Sequence, residues 1–330
     1  MIAKPQGHAP TVRYRAYGLT LSCTGPIQEL AQTPPPGTEA ETDLHIVFAP
    51  PDEPVPLPSD WYLTISLADG SPWMRCATVP FGYLLDFPNL AYFAFDISNH
   101  SLRCIPQKHI PPPTLHHLLL DQVLPLVLNY RGKEALHGAA VATPYGACAF
   151  VGVTGTGKST LAASFCSAGY AVITDDCVVL DIHQDNLVVT PAYPSLRLWD
   201  DAIATLFGTT ASCTPVAHYT SKQRFAAALA TSYAASAVPL AGIYVLGTGH
   251  SAQTVSPTRV EISPMIEREA LMTLLSLAFK LDTRDGHRLT QELDFLRLVV
   301  TQIPVRRLTV PDSLATLPDV RAAILRDLER

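Results

Sequence analysis

Residues 147–160 read ACAFVGVTGTGKST, an apolar run that breaks into glycines and ends in Lys-Ser-Thr. Positions 152–159 fit the Walker A pattern of a P-loop, which is Gly, four residues, Gly, Lys and then Ser or Thr. Glycine permits backbone angles at which successive N–H groups curl around phosphate oxygens. Lys158 adds a positive charge, and Ser159 offers a hydroxyl to a magnesium ion. The stretch therefore predicts a site for the phosphates of ATP.

The flanking sequence places this loop between a strand and a helix. Residues 147–153 are apolar enough for a buried strand, and residues 159–168 continue as a helix that Gly169 would end as a C-cap. A strand, a glycine loop and a helix in this order are the context that a P-loop requires. The predicted nucleotide contacts in this stretch are Gly152, Thr154, Gly155, Thr156, Gly157, Lys158, Ser159 and Thr160.

The composition narrows the class of partner. The chain has 330 residues, 48% of them hydrophobic, which is enough for a substantial core. Its formal charge is −6 with no block of Lys or Arg, so we expect no nucleic-acid partner and no membrane surface. The first residues lack the apolar stretch of a signal peptide, which predicts a cytoplasmic protein. The seven cysteines show no CxxC spacing, so we expect buried apolar side chains rather than metal ligands.

Proline clusters and strand-like runs divide the chain into two predicted domains. Residues 10–105 contain short alternating runs separated by turn residues, which favours a β-rich unit, and the Pro-rich stretch 32–43 reads as a surface loop. Prolines at 106 and 111–113 mark the boundary. We therefore predict a small β-rich N-terminal domain over 1–110 and an α/β nucleotide-binding domain over 111–330. The first has no catalytic signature, and substrate recognition is the role we hypothesise for it.

The second domain alternates helical and strand patterns. Residues 136–143 are separated from the P-loop strand only by the turn PYG, so these two strands must be antiparallel neighbours in a mixed sheet. Residues 170–181 predict a strand, an acidic pair and a second strand, with the first strand beside the P-loop strand. Other predicted elements are a helix at 114–129 capped by Thr114, a mobile loop at 208–224, strands at 241–246 and 305–310, and helices at 264–280, 291–301 and 318–329.

Two adjacent histidines, His116 and His117, fall within the first of these helices. Side chains at neighbouring helix positions point in different directions, and metal-binding histidines on helices lie four residues apart. We therefore predict one exposed histidine beside one packed histidine, in preference to a ligand pair.

Asp175 and Asp176 are the predicted acidic groups of the site. Magnesium bound to phosphates takes one or two protein carboxylates, and a second carboxylate can accept a proton from an attacking hydroxyl. We predict that Asp176 joins Ser159 at the metal and that Asp175 acts as the base. The alternative is a solvated turn, as for many Asp-Asp pairs. His137, at the start of the antiparallel strand, is on composition alone a hydrogen-bonded core histidine or a functional group.

Several of these motifs together resemble HPr kinase/phosphorylase, and more closely the HPr kinase-like proteins that accompany ribosomally made peptides, including lasso-peptide precursor kinases. The resemblance is carried by HG and a small-residue strand, then GVTGTGKS, then a strand that ends in DDCV, within residues 114–200. It implies a mixed-sheet P-loop fold akin to phosphoenolpyruvate carboxykinase. His137, Lys158 and the acidic pair match the catalytic positions of that family, and Ser159 matches its magnesium contact.

The sequence also departs from that family. Thr160 stands where HPr kinase itself has a glutamate, so one carboxylate on the metal side is missing. LRLW replaces the glycine-rich signature, so Arg197 is assigned as a phosphate or substrate contact, with Lys222 and Arg224 as weaker candidates.

The sequence therefore predicts an ATP- and Mg²⁺-dependent kinase that transfers the γ-phosphate to a serine-type hydroxyl of a peptide or protein, for which the resemblance suggests a lasso-peptide precursor. One alternative is a kinase for a small molecule such as free serine. The other is an ATP-binding regulatory protein without transferase activity. Assembly into a homo-oligomer is left open.

Overall fold

The computed structural model describes residues 11–31, 41–225, 232–247 and 259–330. The chain divides into two compact units, the N-terminal unit Met1–Val123 and the C-terminal unit Leu124–Arg330. The predicted domain boundary at 110/111 falls before the first helix, which belongs to the N-terminal unit. The predicted surface loop at 32–43 lies outside the described residues except for its last three positions.

The N-terminal unit is built on one sheet of eight strands, in the order β1-β2-β3-β8-β7-β6-β5-β4. Strands β5 to β8 form an antiparallel meander, whereas β3 pairs in parallel with β2 and β8. The prediction of a β-rich unit is confirmed. The strands are β1 (Val12–Ala16), β2 (Leu19–Cys23), β3 (Leu44–Phe48), β4 (Leu63–Ser66), β5 (Pro72–Val79), β6 (Gly82–Phe87), β7 (Ala91–Asp96) and β8 (Ser101–Pro106).

The helix predicted at 114–129 is not one continuous α-helix. It consists of α1 (Pro112–Leu118) and a π-helix (Leu119–Val123) in the N-terminal unit, followed by α2 (Leu124–Tyr130) in the C-terminal unit. Thr114 was the wrong cap, because the N-cap is Pro111 and prolines occupy the first helical positions. Proline suits the first turn, since its missing N–H would have no intrahelical partner there.

The prediction for the two histidines of α1 was also wrong, because both are buried. His116 Nδ1 lies 2.7 Å from Glu29 Oε2, and His117 Nδ1 lies 2.7 Å from Asp121 Oδ2. A buried ring nitrogen needs a hydrogen-bond partner, and for each of these histidines that partner is a carboxylate. They stabilise the packing of α1 within the N-terminal unit.

A mixed sheet runs through the C-terminal unit in the order β10-β9-β12-β13-β17-β19-β18, with β10 also paired to β17. The hairpin β9–β10 is antiparallel, as predicted, while β10–β17 and β17–β19 are parallel. The fold class of a mixed α/β unit is therefore confirmed. The strands are β9 (Glu134–Thr143), β10 (Gly146–Val151), β11 (Val172–Thr174), β12 (Cys177–His183), β13 (Asn186–Thr190), β14 (Leu196–Leu198), β15 (Thr214–Pro215), β16 (Gln223–Phe225), β17 (Val238–Leu246), β18 (Glu261–Pro264) and β19 (Val305–Thr309).

The strand that leads to the acidic pair does not lie beside the P-loop strand. Strand β11 pairs with β9, and β9 separates it from β10. With ten residues, β9 offers one edge to β10 and divides its other edge between β11 and β12. The predicted adjacency of the two strands is therefore wrong by one strand. The P-loop and the acidic pair nevertheless lie at the same end of β9.

Helices cover the sheet on two sides. One core cluster includes Phe150, Phe165 and Ile324 and packs α3, α4 and α7 on the sheet, and another includes Leu274 and Leu296 of α5 and α6. The three predicted C-terminal helices are confirmed, but the segment at 208–224 is more ordered than predicted, because β15 and β16 join β14 in a three-stranded sheet. The helices are α3 (Lys158–Ser167), α4 (Asp200–Phe207), α5 (Glu267–Leu277), α6 (Gly286–Gln302) and α7 (Leu317–Leu328).

Candidate nucleotide-binding site

The predicted glycine loop connects β10 to α3. Gly152 has a φ of 153°, and a Cβ added there would lie 2.5 Å from the carbonyl oxygen of Leu246. Gly155 and Gly157 also have positive φ values, of 87° and 90°, in open space. Only glycine adopts such angles without strain. Helix α3 begins at Lys158, so its N-terminal amides face the loop, as an anion site requires.

A glycine outside the Walker A pattern also shapes the loop. Gly247 follows β17, the parallel neighbour of the P-loop strand, and has a φ of 68°. A Cβ at this position would lie 2.5 Å from Cγ2 of Thr156. The absence of a side chain at 247 therefore leaves room for the P-loop. Sequence reasoning missed this residue, and a glycine directly after an apolar strand was the signal available.

Lys158 is buried against the P-loop, with 6% of the residue exposed. Its Nζ donates a hydrogen bond of 2.7 Å to the carbonyl oxygen of Val153. Burial lowers the pKa of Lys158 to about 8, the charges of Asp176 and Asp175 oppose that shift, and the nearby positive charge of Lys222 adds to it. A phosphate anion would favour the charged ammonium again.

Ser159 and Asp175 meet at the start of α3. Ser159 Oγ donates a hydrogen bond of 2.7 Å to Asp175 Oδ1, and the backbone N–H of Arg197 donates one of 2.9 Å to Asp175 Oδ2. The residue Asp175 is only 2% exposed. Both carboxylate oxygens are thus engaged, and the acid is fixed against the P-loop serine. A hydroxyl and a carboxylate at this position are oxygen ligands of the kind that magnesium prefers.

Asp176 is the more accessible acid, with 20% of its side chain exposed. It has a φ of 73°, a left-handed conformation that Asp tolerates better than most residues. Arg197 Nη1 donates a hydrogen bond of 2.8 Å to Asp176 Oδ2, and Arg197 Nη2 donates one of 2.6 Å to the carbonyl oxygen of Asp175. One guanidinium group therefore holds the turn that carries both acids.

His137 contacts both the acidic turn and the P-loop. Its Nδ1 lies 3.1 Å from the carbonyl oxygen of Asp176, and its Nε2 lies 3.3 Å from Oγ1 of Thr154. A carbonyl oxygen can only accept, so Nδ1 carries the proton and the neutral ring accepts from the threonine hydroxyl at Nε2. Burial lowers the pKa of His137, and the Asp176 charge opposes that shift. The ring is therefore neutral at pH 7 in a defined tautomer.

The three predicted cations of the site differ in their contacts. Arg197 on β14 is buried and hydrogen-bonded to Asp176 Oδ2 and to the carbonyl oxygen of Asp175, and its assignment as a phosphate or substrate contact stays a prediction. Arg224 on β16 is its cross-strand partner and lies over the ring of Tyr193 at 5.9 Å. Lys222 lies 5.6 Å from the centroid of the Trp199 ring and close enough to Lys158 to lower its pKa.

Metal ligation here would depend on the phosphates as well as the protein. Within the described ranges there is no group of three or more His, Cys, Asp and Glu side chains that could hold a metal ion. Magnesium at phosphate sites is held by one or two carboxylates plus phosphate oxygens and water, so Ser159 and Asp175 suffice. Six of the seven cysteines are buried and Cys213 is half-buried, in line with the prediction of apolar side chains.

Comparisons with known proteins give a limited likeness. No family model matches the chain, and a search of the curated proteins finds no match either. Among solved structures, the chain is similar to the Hpr(Ser) kinase/phosphatase from Coxiella burnetii, with 11% identity and a TM-score of 0.32. That match covers 59% of this chain and 97% of the other. No helix in the described part of the chain combines the length and apolarity needed to cross a membrane.

Proposed function

We propose that this protein is an ATP- and Mg²⁺-dependent kinase that transfers the γ-phosphate to a serine-type hydroxyl. The observation that carries the proposal is the hydrogen bond of 2.7 Å between Ser159 Oγ and Asp175 Oδ1, at the N-terminus of α3 directly after the glycine loop. A hydroxyl and a carboxylate joined at the mouth of a P-loop form the oxygen pair that a magnesium triphosphate needs.

The chain supplies most of the positioning that phosphoryl transfer requires. The loop amides and the ammonium of Lys158 hold the phosphates, with the helix dipole of α3 favouring the same anion. Ser159 and Asp175 would hold Mg²⁺, which supplies charge neutralisation at the phosphates when bound. Lys222, whose charge reaches Lys158, is placed to add a second cation. Such catalysis needs no covalent nucleophile on the protein.

The contacts favour exchanging the roles predicted for the two acids. Asp175 is the acid bonded to Ser159, and it is almost fully buried, so it belongs to the metal side. Asp176 is more exposed and its backbone carbonyl is held by His137, so it is the acid that an incoming hydroxyl can reach. We therefore assign proton acceptance to Asp176. His137 is a positioning residue that fixes the turn of Asp176 and the loop at Thr154.

The acceptor is proposed on the sequence resemblance alone. HPr kinase-like proteins act on proteins or peptides, so a peptide or protein serine is the acceptor we favour, with a lasso-peptide precursor as the specific candidate. The N-terminal unit, which carries no catalytic signature, is the hypothetical acceptor-binding element. Free serine is the small-molecule rival, and it would need no such element.

A second candidate function is nucleotide binding without transfer. Arg197 is hydrogen-bonded to Asp176 Oδ2 and to the Asp175 carbonyl oxygen, and a positive charge so close to an acid stabilises its ionised form. A carboxylate stabilised in this way is a weaker base. This contact favours a protein that senses ATP, and it makes Asp176 the residue on which the two functions differ.

The test is transfer from γ-labelled ATP in the presence of Mg²⁺, with a serine-containing peptide library and free serine as separate acceptors. Asp175→Asn should weaken both Mg²⁺-dependent nucleotide binding and transfer, whereas Asp176→Asn should stop transfer and spare most of the binding. Asp200→Asn, at an exposed position in the first turn of α4, is the matched control. Labelled free serine without labelled peptide would favour the small-molecule kinase. Tight ATP binding with no labelled product would favour the sensor.

A further inference from the structure

An open cavity of about 630 Å³ lies in the C-terminal unit away from the P-loop residues. Residues at the end of α2, the start of β9 and one side of α6 line it. Its volume is within the usual range for small-molecule sites of roughly 300–1,000 Å³. The lining includes both signs of charge and an aromatic ring, from Arg131, Glu134, Arg288, Asp294 and Phe295.

Glu134 is the buried acid of this cavity, with 6% of the residue exposed. Among the described residues, its Oε2 atom has no hydrogen-bond partner. The nearby acid Glu292 is also buried, but it has a cation, because Lys280 Nζ lies 2.9 Å from its Oε1. A buried carboxylate oxygen with no donor is costly, so a ligand that brings a donor to Glu134 would be stabilised.

Arg288 supplies a positive group on the α6 side of the cavity. Gly132 makes room for it, since a Cβ at Gly132 would lie 3.0 Å from Arg288 NH1. The guanidinium group lies 5.7 Å from the centroid of the Tyr130 ring, and NH1 donates a long hydrogen bond of 3.3 Å to the neutral amide of Gln291. A planar guanidinium is suited to binding a carboxylate through two parallel hydrogen bonds.

From these contacts we infer that the cavity is a binding site for a free α-amino acid, with the ammonium at Glu134 and the carboxylate at Arg288. The ligand class follows from the pairing of a buried acid with a guanidinium across one small space. Phe295 provides the apolar wall for a side chain. The site is separate from the proposed nucleotide site, because Glu134 and His137 are three residues apart on β9 and their side chains point to opposite faces of the strand.

Titration of Glu134 gives this inference a specific readout. Burial and the Glu292 charge, opposed by Lys280 and Arg288, together raise the pKa of Glu134 to about 7. An ammonium group beside the carboxylate favours its ionised form, so binding lowers this pKa. Because this pKa lies near 7, a fraction of the Glu134 carboxyls is protonated at pH 7, so binding should release protons.

The experiment is calorimetric titration of the full chain at pH 7 with each of the twenty protein amino acids, in two buffers that differ in ionisation enthalpy. At least one amino acid should bind, with proton release, and its decarboxylated amine and deaminated acid should each bind at least tenfold more weakly. Glu134→Gln should weaken binding at least tenfold and remove the proton release. Arg288→Gln should weaken binding at least tenfold. It should retain or increase the proton release per bound ligand, because the Arg288 charge holds the Glu134 pKa down.

Arg259→Gln is the control, because Arg259 is an exposed arginine paired with Glu261 and does not line the cavity. It should leave amino-acid binding unchanged. The inference is overturned if no amino acid binds, if the amine alone binds as tightly as the amino acid, or if Glu134→Gln binds like the wild type. None of these outcomes depends on ATP binding or transfer, so a failure here is distinct from a failure of the proposed kinase activity.

Discussion

Replacing Lys158 with methionine should stabilise the protein in the absence of nucleotide. Burial lowers the pKa of Lys158 from 10.5 to about 8. A shift of that size corresponds to about 3 kcal/mol of unfavourable free energy for keeping the ammonium charged in the folded state. Methionine removes the charge, but it also leaves the Val153 carbonyl without its donor, which costs about 1 kcal/mol. We therefore expect Lys158→Met to be more stable by about 2 kcal/mol at pH 7.

The pH dependence identifies the cause of this gain. A lysine whose pKa is lowered in the folded state disfavours folding below the folded pKa, and this effect disappears as the pH rises toward the unfolded pKa. The stability difference between the variant and the wild type should therefore narrow by about 2 kcal/mol between pH 7 and pH 9.5. The variant should also bind ATP much more weakly than the wild type at pH 7, since the phosphates lose their ammonium partner.

Urea unfolding followed by the fluorescence of Trp199 measures this difference in the C-terminal unit. Trp61 and Trp73 belong to the N-terminal unit, so Trp61→Phe and Trp73→Phe in both proteins leave Trp199 as the one reporter. Lys133→Met is the matched control, because Lys133 is half-exposed and paired with Asp181, so its loss should not stabilise the fold. A Lys158→Met variant that is less stable than the wild type, or a difference that stays constant with pH, would refute the reasoning.

Three further substitutions test the geometry around the P-loop. Gly247→Ala should weaken ATP binding at least tenfold in calorimetry. Gly208→Ala, at a glycine that also has a positive φ but faces open space, should leave ATP binding unchanged. His137→Phe should weaken ATP binding by about 2- to 10-fold, because the hydrogen bond to Thr154 is lost. Adding Thr154→Val to that variant should weaken ATP binding no further. Additive losses would show that the two side chains act separately. Arg197→Lys should lower the free energy of unfolding by about 3 kcal/mol, because one ammonium cannot replace the guanidinium bonds to both acids; an unchanged urea midpoint would contradict that role.

The parts of the fold that the sequence predicts are those that depend on neighbours in the chain. The hairpin β9–β10 follows from a turn too short for a crossover, and the glycine loop follows from residues that lie within eight positions of each other. The pairing of β11 with β9 depends on which of two distant edges a strand joins, and a local pattern does not determine that choice. This is why the acids were predicted on the correct turn but beside the wrong strand.

The same distinction applies to the site. The chemical type of Ser159, Asp175 and His137 is visible in the sequence, because phosphate and magnesium chemistry limits the residues that can serve. The division of roles proposed for the acids depends on burial, since Asp175 is buried against Ser159 and Asp176 is more exposed. Gly247 matters to the loop because a Cβ there would clash with Thr156, a residue more than ninety positions away in the chain. A glycine directly after an apolar strand was the local signal, but it does not indicate which loop that glycine faces.

Arg197 illustrates how the charges of the site fit together. Two adjacent carboxylates beside a buried ammonium would repel each other and an incoming triphosphate, so the acids need a cation that does not depend on the substrate. Arg197 meets that need, because its guanidinium group is hydrogen-bonded to the turn of Asp175 and Asp176. In the proposed site Lys158 and Lys222 would be the cations that attract a magnesium triphosphate, which is still an anion. An arginine in the sequence near an acidic pair is therefore not by itself evidence of a phosphate contact.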